Sequence, residues 1–379
     1  MKQKILVTGG AGYIGSHVVR QLGEAGYDVV VYDNCSTGSP QSVLYGKLII
    51  GDLSDIDYLE QAFRENEFGA VLHFAASLTV PDSVKYPLDY YANNTRNTLN
   101  LLNCCDRAGV DKIIFSSTAA VYGEPKTLPV TESSATEPIN PYGRSKLCSE
   151  WLIKDYARAS SLRYVILRYF NVAGAEPGGR IGQISLNTTH LIGVACDAAL
   201  KLKPEVKIFG TNFPTFDGTG IRDYIHVEDL ASAHVDALRY LEKGHESQTL
   251  NCGYGKGYSV RQVINKVKEI SGVDFPVVEA DYRCGDPACV TSCADKIRQV
   301  IGWEPQYNDL GEIIHTTLSW KKKLIGLQRN QIQYQAQTQY QNSIQFQLHQ
   351  NQNQNQNQNI ITLLPTLSNT VKVLPHYCS

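Results

Sequence analysis

Tyr142 and Lys146 stand four residues apart in the segment Pro141-Tyr-Gly-Arg-Ser-Lys146. In a helix this spacing places both side chains on one face, about one turn apart. A tyrosine with its ordinary pKa of about 10 is a poor base at neutral pH, but a neighbouring ammonium favours the phenolate. Lowering that pKa to about 7 needs roughly 4 kcal/mol of differential stabilisation. The spacing therefore indicates a tyrosine that acts as a base, with an ordinary surface pair as the alternative.

Gly9, Gly12 and Gly15 follow a short apolar run that predicts a buried strand. Gly9 allows a tight turn, Gly12 lets the backbone approach a pyrophosphate, and Gly15 lets the next helix pack closely on the strand. A second predicted strand ends in Asp33, about eighteen residues after Gly15, as in dinucleotide-binding folds. Since a carboxylate there suits a ribose diol and repels a ribose phosphate, the pattern favours NAD over NADP. A glycine-rich turn without a ligand is the alternative.

A third segment, Ser116-Ser117-Thr118, ends a predicted strand about two dozen residues before Tyr142. Hydroxyl residues at a strand end, a dinucleotide fingerprint and the tyrosine–lysine spacing together favour a catalytic role over a surface pair.

Short β-rich runs alternate with amphipathic segments through the first half of the chain. Helices are predicted near 55–66, 88–108 and 142–159, between strands such as 47–50, 70–74, 112–116 and 163–168. This alternation predicts an α/β fold, a doubly wound parallel sheet of the Rossmann type. The strand ends would then line one edge, where such sheets bind ligands.

From about residue 174 glycine, proline and loop residues become dense, which indicates a second, smaller α/β domain that covers the substrate. We therefore predict a NAD-binding domain at 1–174, with segments near 222–255 as candidates to return to it, and a substrate-covering domain at 175–327. Residues 328–379 form a tail rich in Gln and Asn, too polar to offset its ordering entropy, so disorder is expected.

Composition narrows the functional class. The net charge of −2 gives no basic footprint for nucleic acid or acidic membranes. The ten cysteines are scattered without a CxxC pair, which favours a reduced, cytoplasmic protein. Cys284, Cys289 and Cys293 cluster, but no fourth ligand follows at zinc-like spacing, so no metal is expected. A strand starting at residue 4 leaves no room for a signal peptide, and no apolar run is long enough to span a membrane.

Taken in order, the motifs resemble the extended short-chain dehydrogenase/reductase family, and within it the UDP-glucose 4-epimerases. The resemblance runs from residue 3 to about 323. It rests on Thr8-Gly-Gly-Ala-Gly-Tyr-Ile-Gly-Ser16, Tyr32-Asp33-Asn34, His73-Phe-Ala-Ala76, Phe115-Ser-Ser-Thr-Ala-Ala-Val-Tyr-Gly123, Pro141-Tyr-Gly-Arg-Ser-Lys146, Arg168-Tyr-Phe-Asn-Val-Ala-Gly-Ala175, Asp217-Gly-Thr-Gly-Ile-Arg-Asp-Tyr-Ile-His-Val227 and Arg283-Cys-Gly-Asp-Pro-Ala288. The last three motifs are the most specific, because most dinucleotide enzymes lack them.

This resemblance implies a role for each matching residue. Tyr142 would take the proton from the sugar 4-hydroxyl, Lys146 would lower its pKa and hold the nicotinamide ribose, and Thr118 would bridge Tyr142 and the sugar. The implied NAD contacts are Gly9, Gly12, Tyr13, Ile14, Gly15, Asp33, Asn34, Asp52, Leu53, Phe74, Ala75, Ala76, Asn93, Tyr142, Lys146 and Phe170. The implied UDP-sugar contacts are Thr118, Tyr142, Asn171, Lys207, Ile208, Phe209, Arg222, Arg283 and Asp286.

The implied activity interconverts UDP-galactose and UDP-glucose through a 4-keto intermediate, in a homodimer formed by the helices near 88–108 and 142–159. Two departures from the family pattern matter, one at position 78 and one in the late loop, where Cys289, Thr291, Ser292 and Cys293 replace residues that are usually small apolar or acidic. Leu78 stands where some relatives have a lysine for a cofactor phosphate. Val290 matches a position where a bulky side chain in some relatives excludes N-acetylated sugars, so use of UDP-N-acetylglucosamine stays open.

Other functions are weighed on single residues. Related dehydratases carry Asp-Glu directly after the threonine, but this chain has Ala119-Ala120 and lacks the groups for water loss. Epimerisation of UDP-glucuronate or UDP-xylose stays open. A non-catalytic dinucleotide sensor is disfavoured because the tyrosine and lysine are both present. We expect His73 and His226 to be packed, hydrogen-bonded core histidines, and Trp303 to anchor the smaller domain.

Overall fold

A seven-stranded parallel sheet forms the centre of the computed structural model, which describes residues 3–185, 189–283 and 286–327. Its strands are β1 (Lys4–Thr8), β2 (Asp28–Asp33), β3 (Lys47–Ile50), β4 (Phe68–His73), β5 (Lys112–Ser116), β6 (Arg163–Tyr169) and β10 (Gln248–Cys252). They lie in the order β10-β6-β5-β4-β1-β2-β3, and every neighbouring pair is parallel. The strand order reverses between β1 and β4, so the predicted doubly wound Rossmann fold is confirmed.

Helices pack on both faces of this sheet and against the smaller sheets. They are α1 (Tyr13–Glu24), α2 (Ile56–Arg64), α3 (Val80–Lys85), α4 (Pro87–Tyr90), α5 (Asn97–Ala108), α6 (Pro141–Ala159), α7 (Leu191–Ala199), α8 (Val227–Glu242), α9 (Val260–Ser271) and α10 (Asp295–Ile301). A further helix occupies residues 310–327. The single helix predicted near 88–108 is instead α4, a π-helical segment at Tyr91–Arg96, and α5.

The two faces of the sheet bury separate apolar clusters, because successive side chains of a strand point to opposite sides. Ile5 and Val7 belong to the cluster under α1 and α8, whereas Leu6 belongs to the cluster under α2, α5 and α6. Both clusters are almost fully excluded from solvent. The sheet is therefore a rigid platform whose strand ends are fixed in position.

Smaller sheets lie after β6 in the chain. β9 (Ile221–His226) pairs with β7 (Asn171–Ala173), β11 (Gly257–Ser259) and β13 (Cys289–Val290). β8 (Val206–Phe209) pairs with β12 (Val277–Ala280). A third apolar cluster packs α7 and α9 against β8. Only β10 of the region near 222–255 joins the large sheet as a strand, and the division at residue 174 stays a prediction.

Trp303 does not pack where we expected. Its fully buried side chain lies in the cluster of the large sheet, and its indole N–H donates to the carbonyl of Asp229 at 2.9 Å. The ring stacks on Tyr254 at 6.3 Å between centroids. Trp303 therefore anchors the chain to α8 and the main core rather than to the smaller cluster, a placement that depends on tertiary packing alone.

The Gln/Asn-rich tail at 328–379 and Cys284 lie outside the described residues.

Candidate active site

The loop from β1 to α1 has the shape that a dinucleotide pyrophosphate requires. Gly9 adopts a left-handed backbone with φ of +72°, and a Cβ on it would collide with the backbone of Ala75. A Cβ on Gly15 would overlap the carbonyl oxygen of Gly9. Gly12 is the N-cap of α1 and provides no side-chain cap, so the first N–H groups of α1, at Tyr13 and Ile14, face outward at the positive end of the helix. These residues fit a bound pyrophosphate.

Asp33 closes the same loop from the end of β2. Its carboxylate accepts hydrogen bonds from the backbone N–H of Ala11 at 2.9 Å and of Cys35 at 2.8 Å. Next to it, Asn34 donates to the Asp52 carboxylate at 2.7 Å. The structure thus brings together Asp33, Asn34 and Asp52, which the sequence analysis assigned to the adenosine, and Leu53 follows as a buried neighbour.

The end of β4 supplies the middle of the cofactor groove. Phe74 donates its backbone N–H to Thr8 at 2.9 Å, which keeps the strand end beside β1, and Ala75 lies against Gly9. Asn93 comes from the π-helical segment and donates to the Ser77 hydroxyl at 2.9 Å. Ala76 lies between these contacts in the same loop. π-helical turns often occur at functional sites because they redirect side chains.

Tyr13 is held by a second contact. Its hydroxyl donates to the carbonyl of Gly174 at 2.6 Å, which ties the start of α1 to the end of β7. Burial raises the pKa of Tyr13 well above its ordinary value, with the Glu228 carboxylate acting in the same direction. This phenol stays protonated and serves as a structural donor beneath the pyrophosphate loop.

Tyr142 and Lys146 both lie in the first two turns of α6. Asn140 caps this helix by accepting from the Gly143 N–H at 2.9 Å, and Pro141 takes the first position, where no N–H is needed. Both functional side chains are buried. Thr118 lies close enough to Tyr142 for its side chain to lower the pKa of the phenol. Thr118 and Tyr142 therefore come together after the end of β5, and Lys146 is buried one turn further along α6.

The electrostatics of the pair are set mainly by burial. Burial raises the pKa of Tyr142, the phenols of Tyr169 and Tyr90 act in the same direction, and the side chain of Thr118 opposes them. Burial lowers the pKa of Lys146 to about 7, against the pull of the Glu150 carboxylate. Lowering of the Tyr142 pKa by Lys146 stays a prediction.

The residues assigned to the nucleotide sugar lie on several elements. Arg222 on β9 lies 4.0 Å from the Asp286 carboxylate, and Asn171 is two strand positions from it across the β7–β9 pairing. The Arg283 guanidinium lies over the ring of Phe209 at 3.6 Å from its centroid. Ile208 is buried in the cluster under α7, and Lys207 is largely exposed beside Glu205. Ile208 could contact a base only through its backbone.

Phe170 and Val290 share one apolar cluster with Val121, Tyr122, Val130 and Leu147. This cluster packs beside Thr118 and α6, so it borders the predicted position of the sugar.

Comparison with known proteins agrees with this geometry. The profile of the NAD dependent epimerase/dehydratase family matches residues 5–253. A curated UDP-glucose 4-epimerase from Azospirillum brasilense is 51% identical over 322 residues, which cover 85% of this chain and 92% of that protein. The chain belongs to the UDP-glucose 4-epimerase family. Its cofactor, as the family description states, is NAD.

Solved structures extend the agreement to three dimensions. A UDP-glucose 4-epimerase from Brucella ovis in complex with NAD has a TM-score of 0.81 and 42% identity, covering 84% of this chain and 98% of that one. A UDP-Glc/GlcNAc 4-epimerase from Campylobacter jejuni has a TM-score of 0.75 and 47% identity, covering 85% and 99%.

Histidines of the motifs have structural roles in this family member, as expected. His73 is fully enclosed and bonds to Thr8 at 2.7 Å and Thr98 at 3.0 Å; burial, with Lys146 acting in the same direction, lowers its pKa to about 3. His226 bonds to Thr316 at 2.9 Å and accepts the Glu228 N–H. Neither of these neutral histidines is placed to act on a sugar.

Sequence reasoning missed one group beside the predicted site. Glu150 is fully buried on α6, one turn after Lys146, and is paired with Arg168 of β6. Its only sequence signal was the arginine at the start of the Arg168-Tyr-Phe-Asn motif, which gives no hint of its partner.

Within the described residues, no helix is long and apolar enough to cross a membrane, and no three His, Cys, Asp or Glu side chains converge as a metal site.

Proposed function

We propose that this chain interconverts UDP-galactose and UDP-glucose as an NAD-dependent isomerase. The observation that carries the proposal is that Tyr142, Thr118 and Lys146 are all buried near the carboxyl ends of the strands, in a fold whose β1–α1 loop is shaped for a dinucleotide. The reaction oxidises C4 of the hexose to a ketone and reduces it again on the opposite face. No net oxidation occurs.

Tyr142 is the acid and base of this scheme. It takes the proton from the 4-hydroxyl as C4 is oxidised and returns it when C4 is reduced. Thr118 bridges Tyr142 and the sugar oxygen, since a hydroxyl can accept and donate at once. Lys146 adds positive charge that favours the phenolate. NAD supplies the site that accepts the hydride and gives it back.

The residues that hold NAD surround the switch point between β1 and β4. Pyrophosphate binding falls to the backbone of Gly12, Tyr13 and Ile14, and the adenosine ribose to Asp33 and Asn34. Asp33 has both oxygens engaged by backbone N–H groups, which fixes the carboxylate for a ribose diol. A ribose phosphate would meet like charge there, so NAD rather than NADP is expected.

The nucleotide end of the substrate is bound tightly and the hexose loosely, because the ketone must turn before it is reduced. Arg222 and Asn171 are assigned to the diphosphate, where a guanidinium can bind two oxygens at once. Arg283 and Phe209 offer a charged group over an aromatic ring for the uridine end. The smaller domain at 175–327 supplies Arg222, Arg283 and Phe209, whereas Asn171 and β10 belong to the NAD-binding domain.

A second substrate is supported by one observation. Val290, a modest side chain, lies in the cluster with Phe170 beside the site, and the Campylobacter jejuni relative is named for both UDP-Glc and UDP-GlcNAc. Slower epimerisation of UDP-N-acetylglucosamine is therefore a candidate activity. No feature of the described residues favours UDP-glucuronate or UDP-xylose, which would be tested beside it.

We also propose a homodimer formed through α4, α5 and α6. Large apolar side chains stand exposed on these helices: Leu88 is 80% exposed, Leu99 43% and Trp151 54%. Exposed apolar groups on adjacent helices are typical of an interface. The free thiols of the described residues favour a reducing compartment, and we place the protein in the cytoplasm.

Purified protein incubated with UDP-galactose, without added NAD, tests the function. We expect UDP-glucose to form until the ratio of UDP-glucose to UDP-galactose is constant. The same ratio should be reached when the reaction starts from UDP-glucose. Stoichiometric consumption of added NAD would identify a dehydrogenase instead and overturn the proposal. Parallel incubations with UDP-N-acetylglucosamine, UDP-glucuronate and UDP-xylose define the substrate range.

A further inference from the structure

Lys146 occupies an unusually dry position for a cation. Its side chain is only 2% exposed, and its Nζ lies over the ring of Phe115, 4.2 Å from the centroid. His73 acts on it from β4, and Tyr142 and Glu150 flank it on α6. Of these groups, Glu150 is the one that carries a formal negative charge at neutral pH.

Glu150 is itself fixed by three elements. Arg168 of β6 donates to both carboxylate oxygens, at 2.9 and 2.6 Å, and Ser117 at the end of β5 donates at 2.6 Å. Lys154 donates from the next turn of α6 at 3.2 Å. Burial alone would raise the pKa of Glu150, but these partners, Arg168 above all, hold it below its ordinary value. The carboxylate therefore stays ionised and cannot rotate away.

Arg168 reaches further than this carboxylate. It donates to the Tyr122 hydroxyl at 3.1 Å, which in turn bonds to Asn251 at 2.5 Å. Glu150 is thus the centre of a buried network between the two strands whose ends carry Thr118 and Phe170. Such a network has one arrangement that satisfies all its members, so the charge is held in one place.

We propose that Glu150, fixed by Arg168 and Ser117, is a positioning residue that keeps the Lys146 ammonium protonated beside Tyr142. The proposal rests on the proposed function, because the ammonium matters through the phenolate that it supports. The ordinary pKa of a lysine is about 10.4, and burial at this site removes most of the difference between that pKa and neutral pH. A neighbouring carboxylate restores part of it.

Glu150→Gln tests the proposal, since the amide keeps the shape and a hydrogen-bonding oxygen but loses the charge. Lys146 should then lose its proton at lower pH. The alkaline limb of the kcat–pH profile is expected to shift to lower pH by about one unit. At a given pH on that limb, kcat is then about tenfold lower than in the parent. Glu150→Asp, which keeps the charge, should leave the limb near its original place. Tyr156→Phe is the matched control on the same helix, because its hydroxyl bonds to Asp106 and it carries no charge.

Thermal unfolding of the NAD-bound protein provides a readout that does not depend on turnover. A lysine whose pKa is lower in the folded chain binds fewer protons there, so stability rises with pH from the folded pKa toward the unfolded one. In Glu150→Gln this rise should begin at lower pH than in the parent. On a Lys146→Met background the same substitution should no longer change the pH dependence between pH 6 and 9.

The outcomes separate cleanly. Equal pH profiles and equal unfolding curves for the parent and Glu150→Gln would overturn the proposal even in an active epimerase. A shift in the unfolding curves of a chain that fails to epimerise would overturn the function and leave the Lys146–Glu150 coupling established. If Glu150→Gln does not fold because Arg168 is left unpaired, the E150Q/R168Q variant should move the alkaline limb in the same direction but by less, because it removes the Arg168 cation as well, and an unmoved limb would overturn the proposal.

Discussion

Tyr142 illustrates how a single side chain depends on its surroundings. Burial among Tyr90 and Tyr169 raises its pKa, whereas catalysis at neutral pH needs the phenolate. The difference has to come from positive charge, and Lys146 is the cation that α6 brings to the same face. The tyrosine is therefore useful as a base only with its cationic partners in place.

Replacing this phenol gives the first prediction. Tyr142→Phe should reduce kcat by about 100- to 10,000-fold, the usual range for a lost acid–base group, and leave UDP affinity nearly unchanged. Steady-state assays and calorimetric titration with UDP measure the two quantities. Tyr156→Phe is the control: Tyr156 lies on the same helix, but its hydroxyl bonds to Asp106. An active Tyr142→Phe variant would refute the role of the base.

At the scale of elements, the start of α1 is where shape matters most. Gly15 packs directly on the carbonyl of Gly9, whereas the nearest atom to a Cβ on Gly12 would lie at 3.2 Å. The helix therefore needs Gly15 in order to dock on β1, and it needs Gly12 for what it binds.

These two glycines give the second prediction. Gly15→Ala should destabilise the fold by about 1–3 kcal/mol, the usual cost of overpacking, and should also weaken NAD retention. Gly12→Ala should weaken NAD retention, but the variant should unfold at nearly the same urea concentration as the parent. Urea unfolding and the NAD content of the purified protein measure both effects. Equal unfolding midpoints for the two variants would contradict the assignment.

The π-helical segment Tyr91–Arg96 is a second device at this scale. Asn94 accepts from the Ser77 N–H at 2.8 Å and donates to Ser145 at 3.0 Å, so it ties the loop after β4 to α6. The irregular turn therefore links the strand that lines the NAD groove to the helix that carries Tyr142.

At the scale of the whole molecule, buried neutral histidines make stability depend on pH. Burial lowers the pKa of His234 to about 4, against its hydrogen bond with Leu230, and that of His226 to about 4. As the pH falls from 6.5 toward 4, the unfolded chain takes up protons that the folded chain refuses. Stability is therefore lost as the pH falls through this window.

His234→Phe is the third prediction. The ring lies among Phe74 and Tyr169, at 4.7 and 6.4 Å between centroids, so a phenylalanine fits the apolar side of the site. As the pH falls from 6.5 to 4, the free energy of unfolding of the variant should decrease by about 3 kcal/mol less than that of the parent. Thermal midpoints across this range check it. His315→Phe on the exposed helix face is the control and should keep the parental slope.

Removal of residues 328–379 is the fourth prediction. The relative from Azospirillum brasilense aligns over 322 residues, 92% of its own length, so the family's activity does not need a tail of this composition. The truncated chain should keep its kcat and NAD content. A decrease in kcat of more than about tenfold would show that the tail contributes to the site, since tenfold corresponds to about 1.4 kcal/mol in the activation barrier.

Much of this protein follows from local sequence. The fold-defining signals each lie within one or two elements: the glycine spacing after β1, the aspartate that ends β2, and the spacing of the tyrosine and lysine on α6. The Rossmann fold, the cofactor and the functional face of α6 can therefore be predicted from short segments. Hydrophobic runs also place the strands of the large sheet, as at Lys47–Ile50 and Lys112–Ser116.

Tertiary structure alone decided which distant groups meet. Glu150 finds Arg168 and Ser117 because β5 and β6 are neighbours in register, and Trp303 joins the main core because α10 packs beside β10. Such partners depend on strand order and register, which no short segment encodes. A charge buried far from its partner in sequence can be interpreted only when the folded chain shows what compensates it.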